Sequence, residues 1–144
     1  MSDGNAPFTV TNALHPAPEQ LAAFFNDPDD GPFVMINLLK FRDRALYADG
    51  RDAELSGRDA YLRYGMAVQA ELARVGAKPG YAGPVTGLML GEVGDLWDMV
   101  ALAQYPSPAA MREMVMAPSY QAISIHRDAG LLGQLNIKTK GVFA

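Results

Sequence analysis

The sequence predicts an α+β fold: one antiparallel sheet, ordered β-α-β-β-α-β along the chain, with its helices on one face. Three observations predict it. Residues 33–41 (F-V-M-I-N-L-L-K-F) are apolar almost throughout, as a central strand covered on both sides should be. Between Ser56 and Val75, the residues Tyr61, Tyr64, Gly65, Val68, Leu72 and Val75 recur at helical spacing, leaving Arg58, Arg63, Glu71 and Arg74 for solvent. The stretch 96–132 then reads as a strand, a Tyr105-Pro106-Ser107-Pro108 turn and two short helices split at Pro118, leading into a last strand.

Each element has its own local signals. Residues 1–17, rich in Asn, Ala and Pro, read as an extension. Pro18 suits the first turn of a short helix carrying Leu21, Phe24 and Phe25. N-D-P-D-D-G-P at 26–32 ends that helix, so residues 1–32 form an N-terminal extension and 33–144 the domain. A polar loop at 42–56 follows the first strand, as a flap or a surface excursion. Ser56 is a helix N-cap with Asp59 three residues on, and Gly76 is the C-terminal stop. Residues 76–83 read as a turn-rich connection, 86–90 as the second strand, 91–95 as a hairpin loop and 96–104 as the third strand. Ser107 and Pro108 open the next helix, Met111, Met114 and Val115 give it a buried stripe, and the last helix spans 119–129. Residues 135–139 alternate as the final strand. This order is the ferredoxin-like signature.

Composition narrows the function classes. A chain of 144 residues fits one domain. A net charge of −4 with scattered basic residues argues against a nucleic-acid surface. The absence of cysteine excludes disulfides, thiol nucleophiles and thiolate metal sites. No apolar run approaches the ~20 residues of a membrane span, and residues 1–10 carry no signal-peptide pattern, so a cytoplasmic protein is expected. No His pair at helical spacing, nucleophile elbow, P-loop or dinucleotide fingerprint is present, and no metal or cofactor is expected. Haem held by one axial His126 has only formal standing.

Helices can cover one face of such a sheet. The expected covered face holds Val34, Ile36 and Leu38 with Leu135 and Ile137. The expected open face holds Met35, Asn37, Leu39, Asn136 and Lys138, with Thr86, Leu88 and Leu90 and the third-strand residues Asp98, Val100, Leu102 and Gln104. Small Ala101 and Ala103 suit the helix side. A face of that size and apolarity predicts an interface, and a two-fold dimer pairing the open faces would enclose it.

Several stretches resemble domain-of-unknown-function family 1330 of the dimeric α/β-barrel superfamily. They are Asn37-Leu38-Leu39-Lys40-Phe41, Ser56-Gly57, Ala60-Tyr61, Arg63-Tyr64-Gly65, Trp97-Asp98-Met99-Val100-Ala101-Leu102, Tyr105-Pro106-Ser107, Pro118-Ser119-Tyr120-Gln121-Ala122 and His126-Arg127. Ala117 departs from the pattern, since the family usually places an acidic helix cap there. The resemblance implies a ferredoxin-like subunit, a dimeric α/β barrel with facing sheets, and a cavity between sheet and helices. It implies no reaction. The wider superfamily includes cofactor-free monooxygenases, haem-degrading enzymes, dehydratases and simple binding proteins.

The candidate site is accordingly a cavity for a small, partly apolar organic molecule. His126, the domain's only histidine, is the candidate catalytic acid or base, with Tyr64 or Asp98 as its partner. The competing role for it is packing α-helix on sheet. Arg127 could read a carboxylate bidentately or pair with a nearby acid. Asn37 needs partners in mid-strand, from a ligand, from Gln104 or from a dimer mate. Tyr64, Tyr120, Trp97 and Asp98 complete the candidate substrate-binding set, with packing as the alternative for the aromatic members and core the preferred reading of Tyr61. Two functions remain open: a cofactor-free enzyme of monooxygenase or isomerase/dehydratase type, and a non-catalytic binding or structural dimer.

Overall fold

The computed structural model describes residues 9–141; the first eight residues of the expected extension and the last three of the domain lie outside the described residues. In chain order the elements are α1 (Pro18–Phe25), β1 (Phe33–Phe41), α2 (Gly57–Arg74), β2 (Lys78–Pro84), β3 (Met99–Tyr105), α3 (Pro108–Met116), α4 (Pro118–Gly130) and β4 (Leu131–Thr139). The strands form one antiparallel sheet of order β2-β3-β1-β4, and with two helical crossovers this is the ferredoxin-like arrangement. The caps follow the sequence signals. The Ser56 hydroxyl accepts from the Asp59 N–H at 3.0 Å, and the Ser107 hydroxyl from the Ala110 N–H at 3.1 Å. Pro108 and Pro118 each sit at a helix start, where no N–H is missed.

Three strands differ from expectation. The second is Lys78–Pro84, not 86–90. Its sequence, K-P-G-Y-A-G-P, reads as a turn, yet an edge strand tolerates proline on its unpaired side, and the register slips between Pro79 and Tyr81. Residues 86–90 instead lie in an exposed connection, and 91–95 is no tight hairpin turn. Val85 N–H and Asp98 C=O close that connection with a 2.9 Å bond. The third strand starts at Met99 and runs through Tyr105, whose ring stacks on Phe33 at 5.1 Å. The last begins at Leu131, four residues earlier than its alternation suggests.

The assignment of faces on β1 and β4 is also reversed. Phe33, Met35 and Leu39 pack beneath the helices against Val68, Leu72, Met114 and Tyr61. Cross-strand pairing puts Asn37, Asn136, Gln134 and Lys138 on that same side, with Ala101 and Ala103. Val34, Ile36, Leu38, Leu135 and Ile137 therefore share the other face with Val100, Leu102 and Gln104. The polar residues of β1 and β4 lie on the helix side for local reasons. Lys138 holds its ammonium over the Phe24 and Phe33 rings, 5.3 and 5.6 Å from their centroids, and within 3.2 Å of Asp27. Asn37 finds amide partners inside. Ala101 and Ala103 do take the helix side, as their size suggests.

Helices α2 and α4 cross at two glycines. A Cβ on Gly57 would lie 2.7 Å from the Gly130 oxygen, and one on Gly130 would lie 2.4 Å from the Gly57 oxygen. The N-terminal segment is tied down as well: Ala13 bridges Gln134 on β4, and Phe24 packs edge-on against Phe33 at 5.4 Å.

Candidate functional site

Between the sheet and α2, α3 and α4 lies a cavity of about 110 Å³. Met35, Val68, Leu72, Ala103, Met111, Met114 and Val115 form its apolar wall, and Tyr61, Tyr64, Tyr105 and Tyr120 line it with phenols. Asn37, Arg127, Gln134 and Asn136 make its polar end. Helical spacing brings the α2 residues together, because 61, 64, 68 and 72 fall three or four apart on one side. Residues 120 and 127 are two turns apart on α4 and so share a face.

The polar end is a connected set. Asn37 Nδ2 donates to the Ala101 carbonyl at 3.1 Å, and Gln134 Nε2 donates to Asn37 Oδ1 at 3.2 Å and also to Asn136 Oδ1. Arg127 Nη2 donates to Gln134 Oε1 at 2.8 Å and to the Leu14 carbonyl at 2.7 Å, while Nη1 donates to Asp128 at 2.9 Å. Each central amide is thereby satisfied by protein, as buried amides must be.

The phenols are not all satisfied. Tyr64 and Tyr120 share a hydrogen bond at 3.0 Å. Tyr61 and Tyr105 are 9% and 6% exposed, and neither hydroxyl has a hydrogen-bond partner among the described residues. Neither is sealed either, since the one sealed, unpartnered side-chain polar atom among the described residues is Arg42 Nε. Both side chains line the cavity. Burial pushes Tyr61 up to about 12, with Arg127 pulling the other way, and burial raises Tyr64 and Tyr105 well above the usual phenol range. At neutral pH these groups are hydrogen-bond donors. The lining contains no carboxylate and no imidazole, and hence no group that takes up a proton near neutrality.

Of the residues expected at the site, Asn37, Tyr64, Tyr120 and Arg127 line this cavity and Trp97, Asp98 and His126 do not. Trp97 donates its indole N–H to Asn12 Oδ1 at 2.8 Å, fastening the N-terminal segment. Asp98 Oδ2 accepts the Phe41 N–H at 2.8 Å, and Oδ1 lies 3.5 Å from Lys40 Nζ at the end of β1. The partner of His126 is neither Tyr64 nor Asp98. Its Nδ1 sits 2.7 Å from the hydroxyl of Tyr47, a buried residue of the loop after β1. Burial lowers the His126 pKa, with Arg63 and Arg51 adding to the effect and Asp52 opposing it. Among the described residues no group of three or more His, Asp or Glu side chains gathers as a metal site.

Tyr105 and Gln134 line the cavity although neither is among the residues expected there, and Tyr61, read as core, packs with Leu39 and Leu131 and lines the cavity as well. A signal existed for Gln134, since 134, 136 and 138 are polar at strand spacing. It was hidden because the strand was begun at 135. Tyr47 gave none.

Fold and site together define a ferredoxin-like α+β protein with a small phenol-lined cavity between sheet and helices. No family model and no curated protein matches the chain. Among solved structures, methylated RPA0582 is 34% identical over 93% of this chain and 98% of that one, with a TM-score of 0.83. A second structure of RPA0582, a protein of unknown function from Rhodopseudomonas palustris, is 32% identical over 93% and 100%, with a TM-score of 0.81. The chain belongs to the same family as RPA0582. A dimeric ferredoxin-like protein of unknown function from Bacteroides fragilis matches 77% of this chain and 97% of its own at 13% identity and a TM-score of 0.52. A Caulobacter crescentus protein, provisionally assigned as an antibiotic biosynthesis monooxygenase, matches 79% and 92% at 13% identity and a TM-score of 0.50. Both share the fold.

Proposed function

We propose that this protein is a homodimer, joined through the face of the sheet away from the helices, and that each subunit binds a small, partly apolar organic molecule in the cavity beneath its helices. One observation carries the binding reading: two tyrosines more than nine-tenths buried line the cavity with hydroxyls that have no hydrogen-bond partner among the described residues. A purely structural interior satisfies its buried polar groups, as the amides of this one do. A small donor set on an apolar wall is the usual build of a ligand pocket. Binding is favoured over turnover because no proton acceptor lines the cavity, and His126 stands outside it beside Tyr47. The dimer is supported by the apolar character of the sheet face away from the helices, where Ile137 is exposed and Ile36, Leu38, Val100, Leu102 and Leu135 are half-buried, and by the dimeric protein of the same fold from Bacteroides fragilis.

The test is an NMR screen of molecules with up to about six heavy atoms, a size set by the handful of atoms such a volume holds. Binders should shift the methyl resonances of Met35 and Met114. Ala103→Leu, which fills the cavity from the sheet side, should abolish the shifts and leave the fold intact. Binding that survives Ala103→Leu would overturn the assignment to this cavity.

A further inference from the structure

We infer that the molecule held in this cavity is a short-chain carboxylate, bound with its oxygens between the Tyr61 hydroxyl and the Arg127 guanidinium and its carbon chain against Met35 and Met114. This rests on the binding reading above and goes beyond it by fixing the charge and size of the ligand. Three features of the wall lead there.

The first is its charge. Arg127 is the sole charged residue among those lining the cavity, and no acid faces it from the sheet, from α2 or from α3. Its ion-pair partner, Asp128, lies outside the lining and is 41% exposed, so water screens that acid far more than it screens the cavity side. The second is donor capacity. The bonds to Asp128, Leu14 and Gln134 use three of the five guanidinium N–H groups. Two remain, and the Tyr61 O–H has no acceptor among the described residues. A ligand that completes this set must be rich in acceptors, and charge-assisted bonds to an oxyanion are about twice as strong as neutral ones. Tyr61 and Arg127 line the same cavity of about 110 Å³, small enough for one ligand to meet both walls.

The third feature is volume. A dry cavity of about 150 Å³ accepts benzene, so 110 Å³ suits a molecule of about five or six heavy atoms. Four phenol rings around a void could also suggest a cage for an organic cation. Arg127 decides against that, because a cation there would lie beside an incompletely neutralised guanidinium in a poorly screened space.

The experiment compares isosteres of one size at neutral pH: propionate, propionamide and tetramethylammonium, titrated into the full-length protein and followed by NMR. Propionate should bind about tenfold more tightly than propionamide, and tetramethylammonium should not bind. Tyr61→Phe keeps the ring and removes only the hydroxyl. It should weaken propionate several-fold and shrink the preference for the acid over the amide. Propionamide or tetramethylammonium binding as well as propionate would overturn the carboxylate assignment while leaving the cavity a binding site. An acid preference unchanged in Tyr61→Phe would remove Tyr61 from the contact and overturn the assigned pose. Failure of all three probes, and of the wider screen, would overturn the binding reading itself.

Discussion

The Tyr47 hydroxyl lies 2.7 Å from His126 Nδ1, and Arg63 Nη1 donates to the same hydroxyl at 3.1 Å. Because the arginine can only donate, it takes a lone pair of the hydroxyl oxygen and leaves the Tyr47 proton available to Nδ1. Burial lowers the pKa of His126, and in the neutral ring with its proton on Nε2, Nδ1 accepts from Tyr47. The contact spans the loop after β1 and helix α4, so it holds that loop on the helix pair.

A pH dependence follows from this geometry. Protonating His126 puts a second proton between Nδ1 and Tyr47, in a neighbourhood that already holds Arg63 and Arg51, with Asp52 the opposing charge. The folded-state pKa is depressed, so the folded protein binds fewer protons than the unfolded chain as the pH falls. This contribution to stability is fully present above about pH 6.5, the unfolded value, and is lost as the pH drops through the lower folded value. Urea midpoints should fall between pH 7.5 and 5, a window in which Asp27, Asp29, Asp49 and Glu71, all held below the usual carboxylate range, stay ionised. His126→Gln should flatten that slope. An equal slope in wild type and variant would show that His126 is not its source.

The glycine crossing predicts a strict size limit. A methyl on Gly130 would meet the Gly57 oxygen at 2.4 Å and the Tyr61 nitrogen at 2.7 Å, both backbone atoms that cannot rotate away. Gly130→Ala must push α2 and α4 apart, at about 3 kcal/mol by analogy with other overpacked cores. The same displacement moves Tyr61, which starts at that contact and ends in the cavity. Guanidinium unfolding measures the first effect. Ligand affinity in the surviving folded fraction measures the second. A Gly130→Ala protein as stable as wild type would mean that the helices have slack the structure does not show.

The dimer prediction centres on Ile36, which pairs with Leu102 on one side and Ile137 on the other in the middle of the face away from the helices. Ile36→Lys puts a charge there without touching the cavity side. Light scattering should give the mass of two chains for wild type and of one for the variant, with the circular dichroism spectrum preserved. A single-chain mass for wild type at micromolar concentration would refute the dimer.

How far the sequence reveals this molecule depends on how one-sided each signal is. Strand order and helix caps were legible because Ser56, Ser107, Pro108 and Gly76 act locally. The faces of β1 were not, since Val34, Ile36 and Leu38 are as apolar as Met35 and Leu39, and alternation then fixes parity without sign. Strand β2 was hidden because Pro79, Gly80, Gly83 and Pro84 are turn formers whose presence in a strand depends on its being an edge. Half of the polar lining of the candidate cavity is legible in the sequence, as Asn37, Tyr64, Tyr120 and Arg127. His126 lies outside that lining, and its partner Tyr47 comes from a loop with no periodicity to place it.

Asn37 offers the sharpest test of the polar end. It sits between β3 and β4, its Nδ2 on the Ala101 carbonyl and its Oδ1 taking the Gln134 N–H, and through Gln134 it is linked to Arg127. Asn37→Leu keeps the branching and heavy-atom count of the side chain, so shape alone would predict little change. It leaves Gln134 Nε2 with Asn136 as its remaining partner and Gln134 Oε1 holding Arg127 from a side chain that has lost an anchor. Stability should fall by about 1–3 kcal/mol, the cost of stranding buried polar groups. Gln134→Leu on top of it removes the stranded amide and should recover part of that loss, since apolar replacement of both partners is the cheaper change. Thermal unfolding of the two variants decides it. If the double variant is no more stable than Asn37→Leu, the two amides are not coupled in the way the 3.2 Å contact implies.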